Sequence, residues 1–193
     1  MRAELIYGRP NDEYYTPRYA VLPILRYVPH DKIVWCPFDT EQSEYVQALR
    51  AHGIPCVHSH ICRGQDFYAY EPPHWDLLLS NPPFHEKTRL LERCIALGKP
   101  FALLLPNTCL NNIGPMRQFM GIDLQLLMFD RRVEFLPGQG SPFASSYFCR
   151  NILPRPLIIE YLEKTGRQRS SMYDDPELLS YFSRRLLKNT PEP

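Results

Sequence analysis

The chain has 193 residues, enough for one domain with a short appendage, and 44% of them are hydrophobic, enough for one sizeable core. A formal net charge of +1 supplies no overall field toward nucleic acid, so any such contact needs a local patch. No apolar run is long enough to span a membrane and the opening Met1-Arg2-Ala3-Glu4 is no secretory signal, so a cytoplasmic protein without a membrane partner is expected.

In chain order, the stretch to about Pro17 is polar and turn-rich. Residues 19–28 carry apolar side chains at helical spacing around Pro23. Residues 32–35 form a short apolar run, a strand. Residues 41–52 read as a helix, with Asp39 or Thr40 as its cap, Glu41 and Glu44 in its first turn and Gly53 at its stop. A second strand is predicted over 55–61 and a third, buried on both faces, over 75–80. A helix over 88–97 ends at Gly98. Further strands fall at 100–105, 124–129, 144–148 and 156–162, with a short helix at 116–120.

Strands alternate with helices, and the strand interiors are continuously apolar. That pattern predicts an α/β protein, a mostly parallel sheet covered by helices. Ligands of such sheets bind at the carboxyl ends of the strands. The domain is expected over 1–163. Residues 164–193 form a polar tail with a predicted helix over 176–188 that carries Arg184, Arg185 and Lys188. The 20 prolines cut the chain into many short elements. The six cysteines, at 36, 56, 62, 94, 109 and 149, form no Cys-x-x-Cys pair and are expected to be reduced and mostly buried.

One run carries chemistry. Ser80-Asn81-Pro82-Pro83-Phe84 follows the third strand, and its two prolines force the chain into a stiff, extended turn. An exocyclic amine is a poor nucleophile because its lone pair is delocalised. Accepting hydrogen bonds from it, by the Asn81 side chain and a rigid backbone carbonyl, localises that pair and aims the nitrogen at an electrophilic methyl. Phe84 can stack on a planar substrate. Read alone, the run is equally a Pro-Pro turn with a capping Asn.

With its neighbours, the chain resembles the N6-adenine DNA methyltransferases and their amino-methylating relatives, over about residues 14–159. Asn81, Pro82, Pro83 and Phe84 match that family's catalytic loop. Tyr15-Thr16-Pro17 matches the Thr-Pro that seats the cofactor's methionine end. Gly64-Gln65-Asp66-Phe67 is similar to the turn near the cofactor's adenine, with Asp66 accepting from the adenine amine and Phe67 packing on the ring. Leu104-Leu105-Pro106-Asn107 is similar to the turn after the next strand. Ser141-Pro142-Phe143-Ala144-Ser145, within residues 135–148, resembles a substrate-side segment of small phage-type members. The resemblance implies a Rossmann-like class I methyltransferase fold and S-adenosylmethionine as cofactor. It implies methylation of an exocyclic amino nitrogen, first adenine N6 in DNA, then RNA, then a protein amide.

The sequence departs from that family in two places. The cofactor loop after the first strand reads Cys36-Pro37-Phe38-Asp39, followed by Thr40 and Glu41, with no glycine, although some members carry a Pro-Phe pair there. The acidic residue that grips the cofactor ribose after the second strand is replaced by His58, Ser59 and His60. A catalytically silent module that kept the fold is therefore the second functional class, and cofactor binding discriminates the two. A nucleotide-sugar transferase would need a phosphate-cradling glycine loop that is missing.

No metal is expected. Cys56, His58, His60 and Cys62 alternate, but on one strand the first and last would lie roughly 20 Å apart at about 3.3 Å per residue. Arg131 and Arg132, with Arg167, Arg169, Arg184, Arg185 and Lys188, either contact phosphates or form solvated faces balanced by Glu163, Asp174, Asp175 and Glu177. Family members that act on DNA usually carry a separate recognition domain. A homodimer, a partner subunit or an accessible base is accordingly expected for target recognition.

Overall fold

A computed structural model describes residues 16–83, 85–135, 141, 143–163 and 180. Tyr14, Tyr15, Phe84, Pro142 and the tail with Arg167, Arg169, Arg184, Arg185 and Lys188 lie outside the described residues.

Among the described residues, four helices, α1 (Arg18–Leu25), α2 (Glu44–Ala51), α3 (Lys87–Ala96) and α4 (Ile113–Phe119), accompany seven strands. These are β1 (Val34–Cys36), β2 (Cys56–His58), β3 (Leu77–Ser80), β4 (Phe101–Pro106), β5 (Gln125–Phe129), β6 (Ser145–Arg150) and β7 (Leu157–Glu160). One sheet holds all seven in the order β2-β1-β3-β4-β6-β5-β7. Neighbours from β2 to β4 pair in parallel, β6 runs antiparallel to both β4 and β5, and β7 is parallel to β5. Six strands thus share one direction, and their carboxyl ends share one edge.

The sheet is buried on both faces by simple alternation. Val34 and Cys36 of β1, Leu77 and Leu79 of β3, and Ala102 and Leu104 of β4 pack beneath α1 and α2, with Val21, Ile24, Val46 and Leu49. Trp35, Leu78, Phe101, Leu103 and Leu105 face the other side, where Leu90, Leu91 and Cys94 of α3 and Phe119 of α4 cover them. Asp76 is structural, as its position at a strand start implies: its carboxylate accepts from Ile33 N at 2.8 Å.

Several boundaries differ from expectation for identifiable reasons. α1 stops at Leu25, two residues after the internal Pro23, which has no N–H to donate. The chain then tightens into single turns, Tyr27 N to Ile24 O and Val28 N to Leu25 O. α2 begins at Glu44, and its cap is Ser43, whose hydroxyl accepts from Val46 N, not Asp39 or Thr40. The Asp39 carboxylate is used by Ser80, and Thr40 Oγ1 accepts from Gln42 N in the preceding turn. β2 ends at His58 instead of continuing to residue 61. His60 Nδ1 accepts from Cys62 N and caps a 3-10 turn, Ile61–Arg63, closed by Gly64 at φ 75°. The alternating Cys and His residues therefore do not share one strand.

The candidate site at the switch point

Strand order reverses between β1 and β3: the chain leaves β1 for β2 on one side and later builds outward from β3 on the other. At such a switch point the connecting loops diverge and leave a crevice at the carboxyl edge, where open α/β sheets bind ligands. The loop after β1 (37–43) and the turn after β3 (81–83) flank this crevice.

The two are tied together. The Ser80 hydroxyl, on the last residue of β3, donates to Asp39 Oδ2 at 2.5 Å. Asp39 N donates to Ser59 O at 3.2 Å, so the same residue also holds the end of β2. Burial pushes the Asp39 carboxyl up to about 6, against the opposing pull of Ser80, Ser43, His60 and His58. Asn81 follows, half-buried, with Pro82 buried and Pro83 half-buried.

The expected cofactor residues divide into two kinds. Thr16 and Pro17 are buried at the start of α1. Thr16 lies by the Tyr45 hydroxyl, which pairs with the Tyr147 hydroxyl at 2.9 Å, and Tyr147 donates to Ala20 O at 3.1 Å. This chain of contacts fixes the entrance of α1 against α2 and β6. Cys36, by contrast, is a core residue with no exposed surface, and burial drives its thiol pKa well up. Only its backbone is available, and Cys36 O already accepts from Ser59 N.

Asp66 and Phe67 stand in a turn in which Asp66 Oδ1 accepts from Tyr68 N at 3.0 Å. Phe67 is only 2% exposed, with ring centroids 5.5 Å from Trp35, 4.8 Å from Phe38 and 5.4 Å from Tyr68. Its ring is largely engaged by protein. Phe38, on the β1 loop, is half-buried, as is Tyr68, and keeps surface to offer.

Two features escaped sequence reasoning. One is the Asp39–Ser80 bond, between residues 41 apart in sequence. The other is Glu41, which the sequence places in a helix but the structure places in the β1 loop. Its carboxylate meets His58 Nε2, on the last residue of β2, at 2.8 Å and is also held by both terminal nitrogens of Arg50. Arg50, and then His58, hold the Glu41 carboxyl down at about 2 against a smaller desolvation effect. An acid thus stands at the carboxyl end of β2 although residues 59–65, which follow that strand, include none. Only the pairing of β1 with β2 brings Glu41 there.

The remaining candidates fall as follows. Asn107, after β4, donates its backbone N–H to Ala144 O at 2.8 Å, which clamps the 104–107 turn to the segment before β6. At the carboxyl end of β5, Arg131 pairs with Asp130 at 2.7 Å and Arg132 donates to Ser141 O at 3.0 Å. Asp130 is thus the acid that balances Arg131, while Asp174, Asp175 and Glu177 lie outside the described residues. Among the described residues no three His, Cys, Asp or Glu side chains converge as metal ligands, and no helix is long and apolar enough to cross a membrane. All six cysteines are free thiols, four of them buried.

No family model matches the chain, and no curated protein does. Solved structures align with the chain at low identity. A type I restriction-modification system methyltransferase subunit from Streptococcus thermophilus is 10% identical, with a TM-score of 0.47, over 97% of this chain and 60% of that one. A protein assigned to the class I S-adenosylmethionine-dependent methyltransferases, from Listeria monocytogenes, is 11% identical, with a TM-score of 0.48, over 94% of this chain and 73% of that one. An Agrobacterium tumefaciens protein assigned as an O-methyltransferase is 9% identical, with a TM-score of 0.41, over 84% and 95%. The chain spans 60% of the length of the first of these. The chain's own sheet is seven-stranded and mostly parallel, with helices on both faces.

Proposed function

We propose that the protein is an S-adenosylmethionine-dependent methyltransferase acting on an exocyclic amino nitrogen, with adenine N6 in DNA as the first acceptor to test and RNA or a protein amide next. The observation that carries this reading is the position of Asn81-Pro82-Pro83: it leaves β3 at the switch point, beside the β1 loop to which Asp39 and Ser80 tie it. A residue that must touch both a bound cofactor and an incoming amine belongs there.

The chain's own residues fit such a cofactor. The Glu41 carboxylate at the end of β2 suits a ribose diol, in place of the acid missing from the sequence after that strand. Asp66 offers an acceptor, Phe38 a ring face, and Thr16 a hydroxyl at the start of α1. The bound cofactor supplies an electrophilic methyl. Asn81 accepts a hydrogen bond from the acceptor amine, which localises the lone pair and fixes its direction. Pro82 and Pro83 deny that turn most of its backbone freedom, so the geometry is set before the acceptor arrives. Phe84, next in sequence, would stack on the acceptor ring.

A nucleic-acid acceptor within a duplex must be unstacked, at a cost of a few kcal/mol that contacts have to offset. A homodimer, a partner subunit or a single-stranded target would each supply that offset. The competing reading is a silent module that keeps the fold without binding the cofactor, and it is favoured by the glycine-free loop at 36–41. The test is transfer of labelled methyl from S-adenosylmethionine to DNA, RNA and protein fractions in parallel, with calorimetry of the cofactor and its demethylated product. Label in a nucleic-acid fraction as N6-methyladenine is expected. Absence of binding of either compound would leave the silent module.

A further inference from the structure

A second concavity lies on the edge of the sheet away from Asn81. Arg150 ends β6 opposite Phe101, the first residue of β4, and residues 120–123 lead into the amino end of β5. The strands from β1 to β5 turn their carboxyl ends to the crevice, so this is the opposite edge. The cavity is about 380 Å3, a volume within the range of small-molecule sites. Met120, Gly121, Ile122, Asp123, Arg150 and Asn151 line it.

Opposite charges share this cavity without meeting. Arg150 Nη1 is buried and has no hydrogen-bond partner among the described residues. A buried guanidinium nitrogen without an acceptor is costly, and native proteins keep few such orphans. Asp123 is exposed and forms no ion pair with Arg150 or with any other described residue.

The walls that carry the two groups are held in place. Alternation puts Arg150 on the face of Phe148, whose ring stacks on Phe119 of α4 with centroids 5.3 Å apart. In the turn after α4, Ile122 N donates to Phe119 O at 3.2 Å and Leu124 N to Ile122 O at 2.9 Å. In the other wall, Asn151 takes a left-handed conformation at φ 55°, which Asn tolerates. Gln125 clamps the residues that follow it. Its Oε1 accepts from Ile152 N and Leu153 N, both at 3.0 Å, and its Nε2 donates to Leu153 O at 2.6 Å. Walls fixed in advance lower the ordering cost of binding a ligand.

The charges select the ligand. A simple anion would gain Arg150 but face Asp123, and a simple cation would meet the reverse. A ligand that satisfies both carries a carboxylate and an ammonium a few atoms apart and is neutral overall. The guanidinium fork matches a carboxylate in plane, and a carboxylate side chain accepts from an ammonium. Met120 and Ile122 add apolar surface beside them, Met120 being 82% exposed. We propose that this cavity binds a free α-amino acid with an apolar side chain, its carboxylate on Arg150 and its ammonium on Asp123. The proposal is independent of the methyltransferase reading, because the cavity and the crevice lie at opposite edges of the sheet.

The test is isothermal titration of the full chain with L-leucine and L-phenylalanine as probes. Wild type is expected to bind at least one of them saturably. N-acetyl-L-leucine, which lacks the ammonium, and L-leucinamide, which lacks the carboxylate, should each bind at least about tenfold more weakly than L-leucine, as loss of a charged hydrogen bond implies. Arg150→Gln and Asp123→Asn should each weaken the amino acid by a similar factor. Asp123 is exposed, so Asp123→Asn keeps the fold and locates the site even where Arg150→Gln does not fold. Saturating S-adenosylhomocysteine should leave the amino-acid affinity unchanged. The proposal is overturned if neither amino acid binds, if an analogue with one charge binds as well as L-leucine, or if Asp123→Asn binds as wild type does. Competition by S-adenosylhomocysteine would place the amino acid in the crevice and overturn it as well.

Discussion

The Ser80 hydroxyl and the Asp39 carboxylate, 2.5 Å apart and both buried, join the loop after β1 to the residue immediately before Asn81. The bond crosses the point where the strand order of the sheet reverses, so it fixes the two walls of the crevice relative to each other. In the proposed function one wall holds cofactor and the other holds the acceptor amine. Ser80→Ala should therefore lower the rate of methyl transfer more than the affinity for S-adenosylmethionine. Single-turnover rates beside calorimetry measure the two separately, and an equal loss in both would assign Ser80 to binding alone.

Asp39 should also give the fold a pH signature. Its carboxyl is raised to about 6, above its unfolded value, so the folded state takes up a proton more readily than the unfolded chain. That contribution is complete below about pH 4 and is lost as pH rises through 6. A shift of this size corresponds to roughly 3 kcal/mol at 1.36 kcal/mol per unit. Asp39→Asn removes the titration and should be relatively more stable than wild type at pH 7–8 than at pH 4. Urea midpoints across that range check this, and parallel curves for the two proteins would rule it out.

Glu41 should behave in the opposite sense. Held at about 2 by Arg50 and His58, it contributes stability above the ordinary carboxylate range that fades as pH falls toward 2. The group is 42% exposed, so the effect on stability is small and screened by salt. Its larger effect is expected on ligand binding. Glu41→Gln should weaken S-adenosylmethionine by about tenfold if the carboxylate accepts from the ribose diol. Unchanged affinity by calorimetry would return Glu41 to a purely structural pairing with Arg50.

Asn81→Ala should nearly abolish transfer and leave cofactor affinity close to wild type, because its partner is the acceptor amine. Asp66→Ala should do the reverse, weakening cofactor binding by about 1–3 kcal/mol, the cost of a lost buried hydrogen bond. Because Asp66 also accepts from Tyr68 N, the turn itself will loosen, and Asp66→Asn, which keeps an acceptor, should recover part of the affinity. Full transfer by Asn81→Ala would remove it from the catalytic role.

Phe67→Ala should act on the fold first. The ring is buried among Trp35, Phe38 and Tyr68, so its loss should cost about 3–5 kcal/mol in unfolding free energy. Phe38→Ala, in the half-buried partner, should cost less stability and more cofactor affinity. Denaturant titration and calorimetry on both variants compare them directly, and a stable Phe67→Ala with lost cofactor affinity would reverse the assignment.

The sequence by itself determined the α/β alternation, the buried strand before Asn81-Pro82-Pro83 and the place of that turn after it. Those follow from local pattern: continuous apolar runs make two-sided strands, and paired prolines break them. It also marked the cysteines as mostly buried, because their spacing and the compartment are compositional properties. What it could not determine was which side chains meet across the sheet. Asp39 looked like a helix cap, and only the adjacency of β1 and β3 turns its carboxylate to Ser80, leaving Ser43 to cap α2. Glu41 looked like a first-turn helix residue, and only the pairing of β1 with β2 sets it against His58. Phe67 carried a family motif, yet its burial depends on Trp35 and Phe38, on another segment of the chain. Strand order decides these contacts, because it is fixed by the packing of two helical layers on one sheet and not by any short stretch of chain.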